Sequence, residues 1–228
     1  MTNPLAHVRR APLRRLLDSA GAEWRDLKDA SIAWDFGEAA DARRLAIADL
    51  SPLPRLGFKG RGTIPAMRKR GVIVEACSNK AFRQADGSLC LVLGPGEVLL
   101  LSNLAGEGAA QAAMLDGWRI EDEERTYPLP RRDSHAWFAI AGGEAPAMFS
   151  KLCAVDLRPR TFADLSIAQT SVAKLNAIVA RADAGGALLY HLLADSASAL
   201  YLYSSLMDAA AEFGGRLTGL SAVRSLRD

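Results

Sequence analysis

The stretch that decides the reading is 151-KLCAVDLRPRTFADLSIAQTSVAKL-175. Cys153 to Asp156 reads as a short apolar strand, the run breaks at Asp156-Leu157-Arg158-Pro159-Arg160, and polar and apolar residues alternate again from Ile167. The charged break is a catalytic loop, a binding loop or a turn that sets the register of two strands. On an extended segment Arg158 and Arg160 project from the same side, and Pro159 removes one backbone donor. Asp156 can accept from the amides that follow it or pair with one arginine. Two guanidiniums cannot serve as a base, and one tethered carboxylate lacks a partner acid. The chemistry is that of a structural turn pinning a crossover.

Outward from this turn the pattern is mixed. Before it come a strand at Ala136 to Ala141, a Gly142-Gly143 turn and a helix from Ala145 to Leu152. After it, Ile167 to Val172, Ala177 to Ala182 and Ala187 to Leu193 read as three antiparallel strands. A long helix, Asp195 to Phe213, follows, with Asp195 or Ser196 as cap and Gly214-Gly215 past its end. Tyr201 and Tyr203, with Leu200, Leu206, Met207 and Phe213, read as its packing side.

Earlier in the chain, strands are expected at Arg43 to Asp49 and Leu56 to Lys59, then a Gly60/Gly62 turn and a helix from Ile64 to Arg70 with Pro65 in its first turn. Cys90 to Leu93 and Glu97 to Leu101 flank Gly94-Pro95-Gly96 as a hairpin; a helix at Ala105 to Leu115 and a strand at Trp118 to Ile120 complete this half. The expected fold class is α+β, with two ferredoxin-like split-βαβ halves and antiparallel sheets, over about residues 41–130 and 131–228. Residues 1–40 read as an N-terminal arm. Leu13, Leu16 and Leu17 have helical spacing with arginines on the other face, either a partner-binding arm or a capping helix.

A chain of 228 residues, half hydrophobic and 24% charged, has the composition of a globular protein. A net charge of +2 gives no general argument for nucleic acid or membrane binding, and neither is expected as a partner. Basic residues nevertheless concentrate early, 14 of the 28 falling within the first 70 positions. Arg55, Lys59, Arg61, Arg68, Lys69 and Arg70 form the densest cluster, either a groove for a polyanion or a solvated face. Glu121-Asp122-Glu123-Glu124 reads as a solvated turn. Cys77, Cys90 and Cys153 form no CxxC pair, which fits a reducing cytoplasm and argues against a disulfide framework or zinc site. No secretory signal or membrane-spanning run is visible.

Motifs for chemistry are sparse. Gly60-Arg61-Gly62 and Gly94-Pro95-Gly96 complete neither GxGxxG nor a P-loop, so they read as turns before phosphate cradles. No GxSxG elbow or HExxH occurs. His191, between leucines on one face of a strand, reads as a hydrogen-bonded core or interface histidine before a catalytic base.

Several segments carry a family resemblance. Asn3-Pro4-Leu5-Ala6-His7 resembles the "SPLAH" of gamma subunits of heterotetrameric sarcosine oxidases; Gly57-Phe58-Lys59-Gly60 and Leu93 to Leu100 resemble that family's "GLKGPGA" and "LGPDEWLL". Val155 to Phe162, with Ala168-Gln169-Thr170, resembles its "DLHPRVF…AQT". The matches follow in order along nearly the whole chain. The resemblance implies a fold similar to the folate-binding domain of the glycine-cleavage aminomethyltransferase (T-protein). It also implies a non-catalytic subunit packed against a large (alpha) subunit in a complex with beta and delta subunits. FAD, FMN, NAD, zinc and tetrahydrofolate are then handled by other subunits, with none in this chain. Leu5, His7, Lys59, Asp156, Arg158 and Arg160 are the structural or interface candidates. The sequence departs from the pattern at Gly96-Glu97-Val98, where the tryptophan of "DEW" is missing, and around Leu104 to Ala113. Those departures leave open an N-methylglutamate dehydrogenase subunit, and a free-standing aminomethyltransferase-like protein stays as the other class.

Overall fold

The computed structural model describes residues 7, 9–37, 41–106, 108–119 and 125–227. In chain order the elements are α1 (Arg14–Ser19), β1 (Glu23–Asp26), β2 (Ser31–Asp35), β3 (Ala46–Asp49), β4 (Arg55–Gly60), α2 (Thr63–Lys69), β5 (Lys80–Arg83), β6 (Leu89–Gly94), β7 (Glu97–Leu101) and α3 (Ala109–Asp116). There follow β8 (Thr126–Leu129), β9 (His135–Ala141), α4 (Ala145–Ser150), β10 (Ile167–Val172), β11 (Leu175–Arg181), β12 (Leu189–Asp195), α5 (Ala199–Ala211), β13 (Arg216–Thr218) and α6 (Leu220–Arg224). They make two compact units, one drawn from residues 1–52, 135–164 and 168–228, the other from 53–134 and 165–167.

The first unit is built on a six-stranded sheet in the order β10-β11-β12-β9-β3-β13. Its pairs β11–β12, β12–β9 and β3–β9 are antiparallel, and β13 joins β3 in parallel. Residues Ala136 to Ala141 of β9 are all buried, which explains why the strand reads as a continuous apolar run without alternation. One face, through Ile47, Phe138, Ile140, Val179, Tyr190 and Leu192, packs with Met148 and Phe149 of α4 and Leu202 and Leu206 of α5. Gly142 precedes α4 at φ +109°, and a Cβ there would lie 2.3 Å from the Arg44 carbonyl oxygen, so only glycine fits. Asp195 does cap the helical segment that leads into α5, accepting from the Ala197 amide at 2.8 Å.

Residues 9–37 contribute directly to this unit. Leu13, which precedes α1, and Leu17 of α1 are 2% and 1% exposed and stand in the same core, and β1 and β2 form an antiparallel hairpin. Arg25 of β1 lies over the Trp34 ring at 3.4 Å from its centroid, and Arg224 of α6 at 5.4 Å. These contacts tie the hairpin to the last helix.

The second unit carries a five-stranded sheet ordered β5-β6-β7-β4-β8, with antiparallel pairing throughout. Leu56, Phe58, Cys90, Val92, Val98 and Leu100 point from one face of it onto Ile64 and Met67 of α2 and onto Trp118. Pro128 is tolerated in β8 because that strand is the sheet edge.

The fold is α+β with antiparallel sheets. Three expectations change. Cys153 to Asp156 is not a strand: only a single bridge, Cys153 to Val172, forms there, because α4 ends at Ser150 and the chain turns immediately. Trp118 lies outside any strand and packs instead on Phe58 with ring centroids 4.7 Å apart; Ile120 and the acidic run at 121–124 lie outside the described residues. On α5, Leu200 and Tyr201 are 58% and 52% exposed, since the buried stripe runs through Leu202, Leu206, Ala209 and Ala210. Among the described residues no helix is long and apolar enough to cross a membrane.

Candidate functional site

The charged turn after α4 is closed by hydrogen bonds among its own residues. Asp156 Oδ1 accepts from the Arg158 amide (3.1 Å) and from Arg158 Nε (2.7 Å). Its Oδ2 accepts from Arg158 Nη2 (2.7 Å) and Thr161 Oγ1 (3.1 Å). The Arg158 side chain, its amide and Thr161 together hold the Asp156 carboxyl far below the usual carboxylate range. The Thr161 and Phe162 amides both donate to the Arg158 carbonyl, at 2.9 and 2.8 Å, closing the turn.

Both ends of the turn are fastened to the core. Leu157 is buried, and its carbonyl accepts from the Tyr190 hydroxyl at 2.7 Å. Phe162 is buried beside the Tyr190 ring, and its carbonyl accepts from Arg181 Nη1 at 2.7 Å. Arg181 in turn forks onto Asp183, whose amide donates to Asp164 Oδ1 at 2.9 Å. Burial pushes the Tyr190 phenol up to about 12. Sequence reasoning missed Tyr190, Arg181 and Asp183 as anchors. The available signal was an arginine closing an otherwise apolar strand with an aspartate two residues on.

Two measurements check this arrangement. Tyr190→Phe leaves the buried Leu157 carbonyl without its donor and is expected to cost about 1–3 kcal/mol in denaturant unfolding; an unchanged midpoint would show that the carbonyl finds another partner. The Asp156 carboxyl, with its folded pKa depressed, contributes to turn order in full above its unfolded value of about 3.9, and the contribution is lost as pH falls through the folded value. Protection factors for the Thr161 and Phe162 amides should therefore hold from neutral pH down to about pH 4 and fall below it. Asp156→Asn should lower them and remove that acid step, and an identical acid step in the variant would assign it to another group.

The remaining candidates are dispersed. Arg158 folds back onto Asp156 because the segment is a turn and not an extended strand; Arg160 is exposed, with no partner among the described residues. His7 Nε2 lies 3.0 Å from Asp26 Oδ1 of β1, and Leu5 lies outside the described residues. Lys59 Nζ pairs with Glu97 Oε2 at 2.8 Å while Arg131 Nη2 takes Glu97 Oε1 at 3.0 Å. In the basic cluster around β4 and α2, Arg55 is buried with Nε on the Arg131 carbonyl, Arg68 Nε bonds the Val74 carbonyl, and Arg70 stacks over Trp118 at 4.0 Å.

The two glycine turns converge on each other. The Gly60 amide donates to Gly96 O at 2.8 Å and the Gly62 amide to Arg125 O at 3.3 Å. A Cβ at Gly60 would lie 2.1 Å from Arg125 O, and one at Gly96 2.6 Å from Gly60 O. Thr63 Oγ1 sits beneath, within 3.0 Å of both the Gly60 and Gly96 carbonyls and 2.6 Å from Thr126 Oγ1. These amides bond neighbouring backbone, so the glycines serve close packing and not phosphate.

His191 is a core histidine: Trp137 Nε1–H donates to its Nδ1 at 3.2 Å, which makes Nδ1 the unprotonated nitrogen. Cys90 is buried and its thiol pushed up to about 12; Cys153 Sγ lies 3.9 Å from Thr170 Oγ1; Cys77 is exposed. Among the described residues no three His, Cys, Asp or Glu side chains cluster to hold a metal. An open groove of about 360 Å³ runs over His135, Gln169, Thr170, Asn176, Ile178 and Leu193.

The fold is α+β, antiparallel except for the pair β3–β13, and the Asp26, Glu97 and Asp156 carboxylates stand in ion pairs. Residues 78–228 match the family model of the GCVT N-terminal domain, and the chain belongs to that family. Among solved structures, a chain of the heterotetrameric sarcosine oxidase from Corynebacterium sp. U-96, in complex with pyrrole 2-carboxylate, is similar at 22% identity and a TM-score of 0.67, over 92% of this chain and 98% of that one. The glycine cleavage system aminomethyltransferase T from Bartonella henselae is similar at 14% identity and a TM-score of 0.73, over 96% of this chain and 62% of that one. No curated protein matches the sequence.

Proposed function

We propose that the chain is a non-catalytic gamma-type subunit of a heterotetrameric sarcosine oxidase-like complex that oxidatively demethylates an N-methylated amino acid. In that complex it supports assembly with the large (alpha) subunit, in the cytoplasm, while FAD, FMN, NAD, zinc and tetrahydrofolate belong to other subunits. The observation that carries the reading is the likeness over 98% of the sarcosine oxidase chain, against 62% of the aminomethyltransferase. The site chemistry agrees with it. Asp156 is bonded to Arg158, Glu97 is shared by Lys59 and Arg131, and Asp26 faces His7, so these carboxylates hold structure together.

The test has two arms. Purified alone and mixed with FAD, FMN and sarcosine or N-methylglutamate, the chain is expected to retain no flavin and to turn over no substrate. Tagged in its native host, it is expected to bring down a flavin-bearing large chain with N-demethylating activity. Stoichiometric flavin retention by the isolated chain would overturn the reading, and folate-dependent aminomethyl transfer by it would establish the free-standing transferase instead.

A further inference from the structure

Away from the charged turn, a cleft of about 470 Å³ opens in the first unit, where the chain enters β3 and where it leaves α5. Small-molecule sites span about 300–1,000 Å³. The cleft is lined by Asp41 and Arg44 from the turn before β3, by Gly214 after α5, by Arg216 at the start of β13, and by the buried Leu45. The backbone on all sides is fixed. The Arg44 amide donates to Asp41 O at 3.0 Å, and the Arg44 carbonyl accepts from the Glu144 amide at 3.0 Å. The Arg216 amide donates to Leu45 O at 3.3 Å, beside the ladder that joins β13 to β3. The Gly214 and Gly215 amides donate to Ala211 O and Ala210 O, which closes the end of α5. What the cleft offers a ligand is therefore its side chains.

Those side chains carry an unusual combination of charge. Gly214 sits at φ +69°, and a Cβ there would lie 3.3 Å from Arg44 Cζ, 3.3 Å from its Nη2 and 3.6 Å from its Nε. Three nearly equal distances mean that the guanidinium turns its face to the glycine. Its N–H donors lie in the plane of the group, so they point sideways from the helix end. Arg216 brings a second guanidinium to the same cleft. Asp41 brings one carboxylate, whose Oδ1 accepts from the Arg43 and Arg44 amides at 3.0 and 3.3 Å. The lining thus holds two positive charges and one negative.

We propose that this cleft binds a dicarboxylic amino acid. A guanidinium takes a carboxylate through two parallel N–H bonds, so each arginine matches one carboxylate. The ligand's ammonium then faces Asp41, and all three charges of the cleft are complemented. Phosphate would satisfy the arginines but be repelled by Asp41, and a monocarboxylic amino acid would leave one guanidinium without a counter-charge. The inference stands whether or not the chain is a subunit.

The test is a titration of the purified chain with L-glutamate, read from the Nε–H resonances of Arg44 and Arg216. Ion pairs in an open cleft are weak, so a Kd on the order of 1 mM is expected, rising with ionic strength. Glutarate, which lacks the ammonium, and glycine, which lacks the second carboxylate, should each bind about two- to fivefold more weakly. Arg44→Ala and Arg216→Ala should each weaken glutamate about tenfold. Asp41→Asn keeps the oxygen that accepts from the turn amides, and should bind glutamate no better than glutarate. A purely structural role for Asp41 would leave that preference intact and overturn its place in the site. Resonances unmoved at about 20 mM glutamate, some twenty times the expected Kd, would overturn the proposal outright. Inorganic phosphate or glycine binding as tightly as glutamate would overturn it too, and these wild-type titrations decide even where a variant fails to fold.

Discussion

Gly60→Ala is expected to destabilise the chain by about 2–6 kcal/mol. The first part, about 1–3 kcal/mol, is backbone strain: Gly60 sits at φ +152°, a region side-chain-bearing residues rarely enter. A second part of about 1–3 kcal/mol comes from overpacking, since the new methyl would lie 2.1 Å from Arg125 O and 2.6 Å from Thr126 Cα. Both neighbours are backbone, held by the β4–β8 ladder, so neither can swing aside. For a chain of this size the melting temperature should drop by roughly 4–24 °C. Gly71 is the control. It has φ +79° with nothing within 4 Å of a Cβ, so Gly71→Ala should cost only about 1–2 kcal/mol. Equal effects at the two positions would show that dihedral strain decides the outcome and that the convergence of the three backbones does not.

The second large effect is expected at the N-terminal helix. Leu17 is 1% exposed and shares the first unit's core with Leu13, Phe138 and Met148. Leu17→Ala should cost about 2–5 kcal/mol, the range for a buried leucine truncated in a packed core. Removing residues 9–19 should cost more, because Leu13 goes with it, along with the Asp18 carboxylate that accepts from Trp24 Nε1 at 2.9 Å. Thermal unfolding of the isolated chain is the measurement. A melting temperature within a degree or so of wild type would mean that α1 rides on the surface and is reserved for a partner.

What the sequence made legible follows from local chemistry. β4, α2, β7, β9, β11 and β12 were readable because apolar runs of strand or helix length end at Gly, Pro or Asp, and the Asp195 cap was readable from its side chain alone. The β1–β2 hairpin was not, since β1 (EWRD) has no buried residue and shows no alternation. β13 is three residues long and becomes a strand only through its parallel partner β3, a contact no local window contains. β8 was hidden by Pro128, which reads as a breaker unless the strand is known to lie at an edge. In the charged turn, the Asp156 interaction was legible because its partners lie two and five residues away. The Tyr190 and Arg181 anchors come from 33 and 19 residues away, and only the folded sheet brings them there.

The parallel pair at the sheet's end bears on how the chain is made. β3 lies between β9 and β13 and so cannot acquire either neighbour while it is being synthesised. Leu45, Ile47 and Leu50, buried in the finished protein, must leave the ribosome and wait, uncovered, while residues 53–134 emerge. Most of the second unit is complete by then and can fold first. The sheet of the first unit is complete only when Arg216–Thr218, about 170 residues after β3, reach it. A nascent chain of this design carries β3 unpaired until β9 emerges and with one edge open until β13 does, a species exposed to aggregation and suited to chaperone capture.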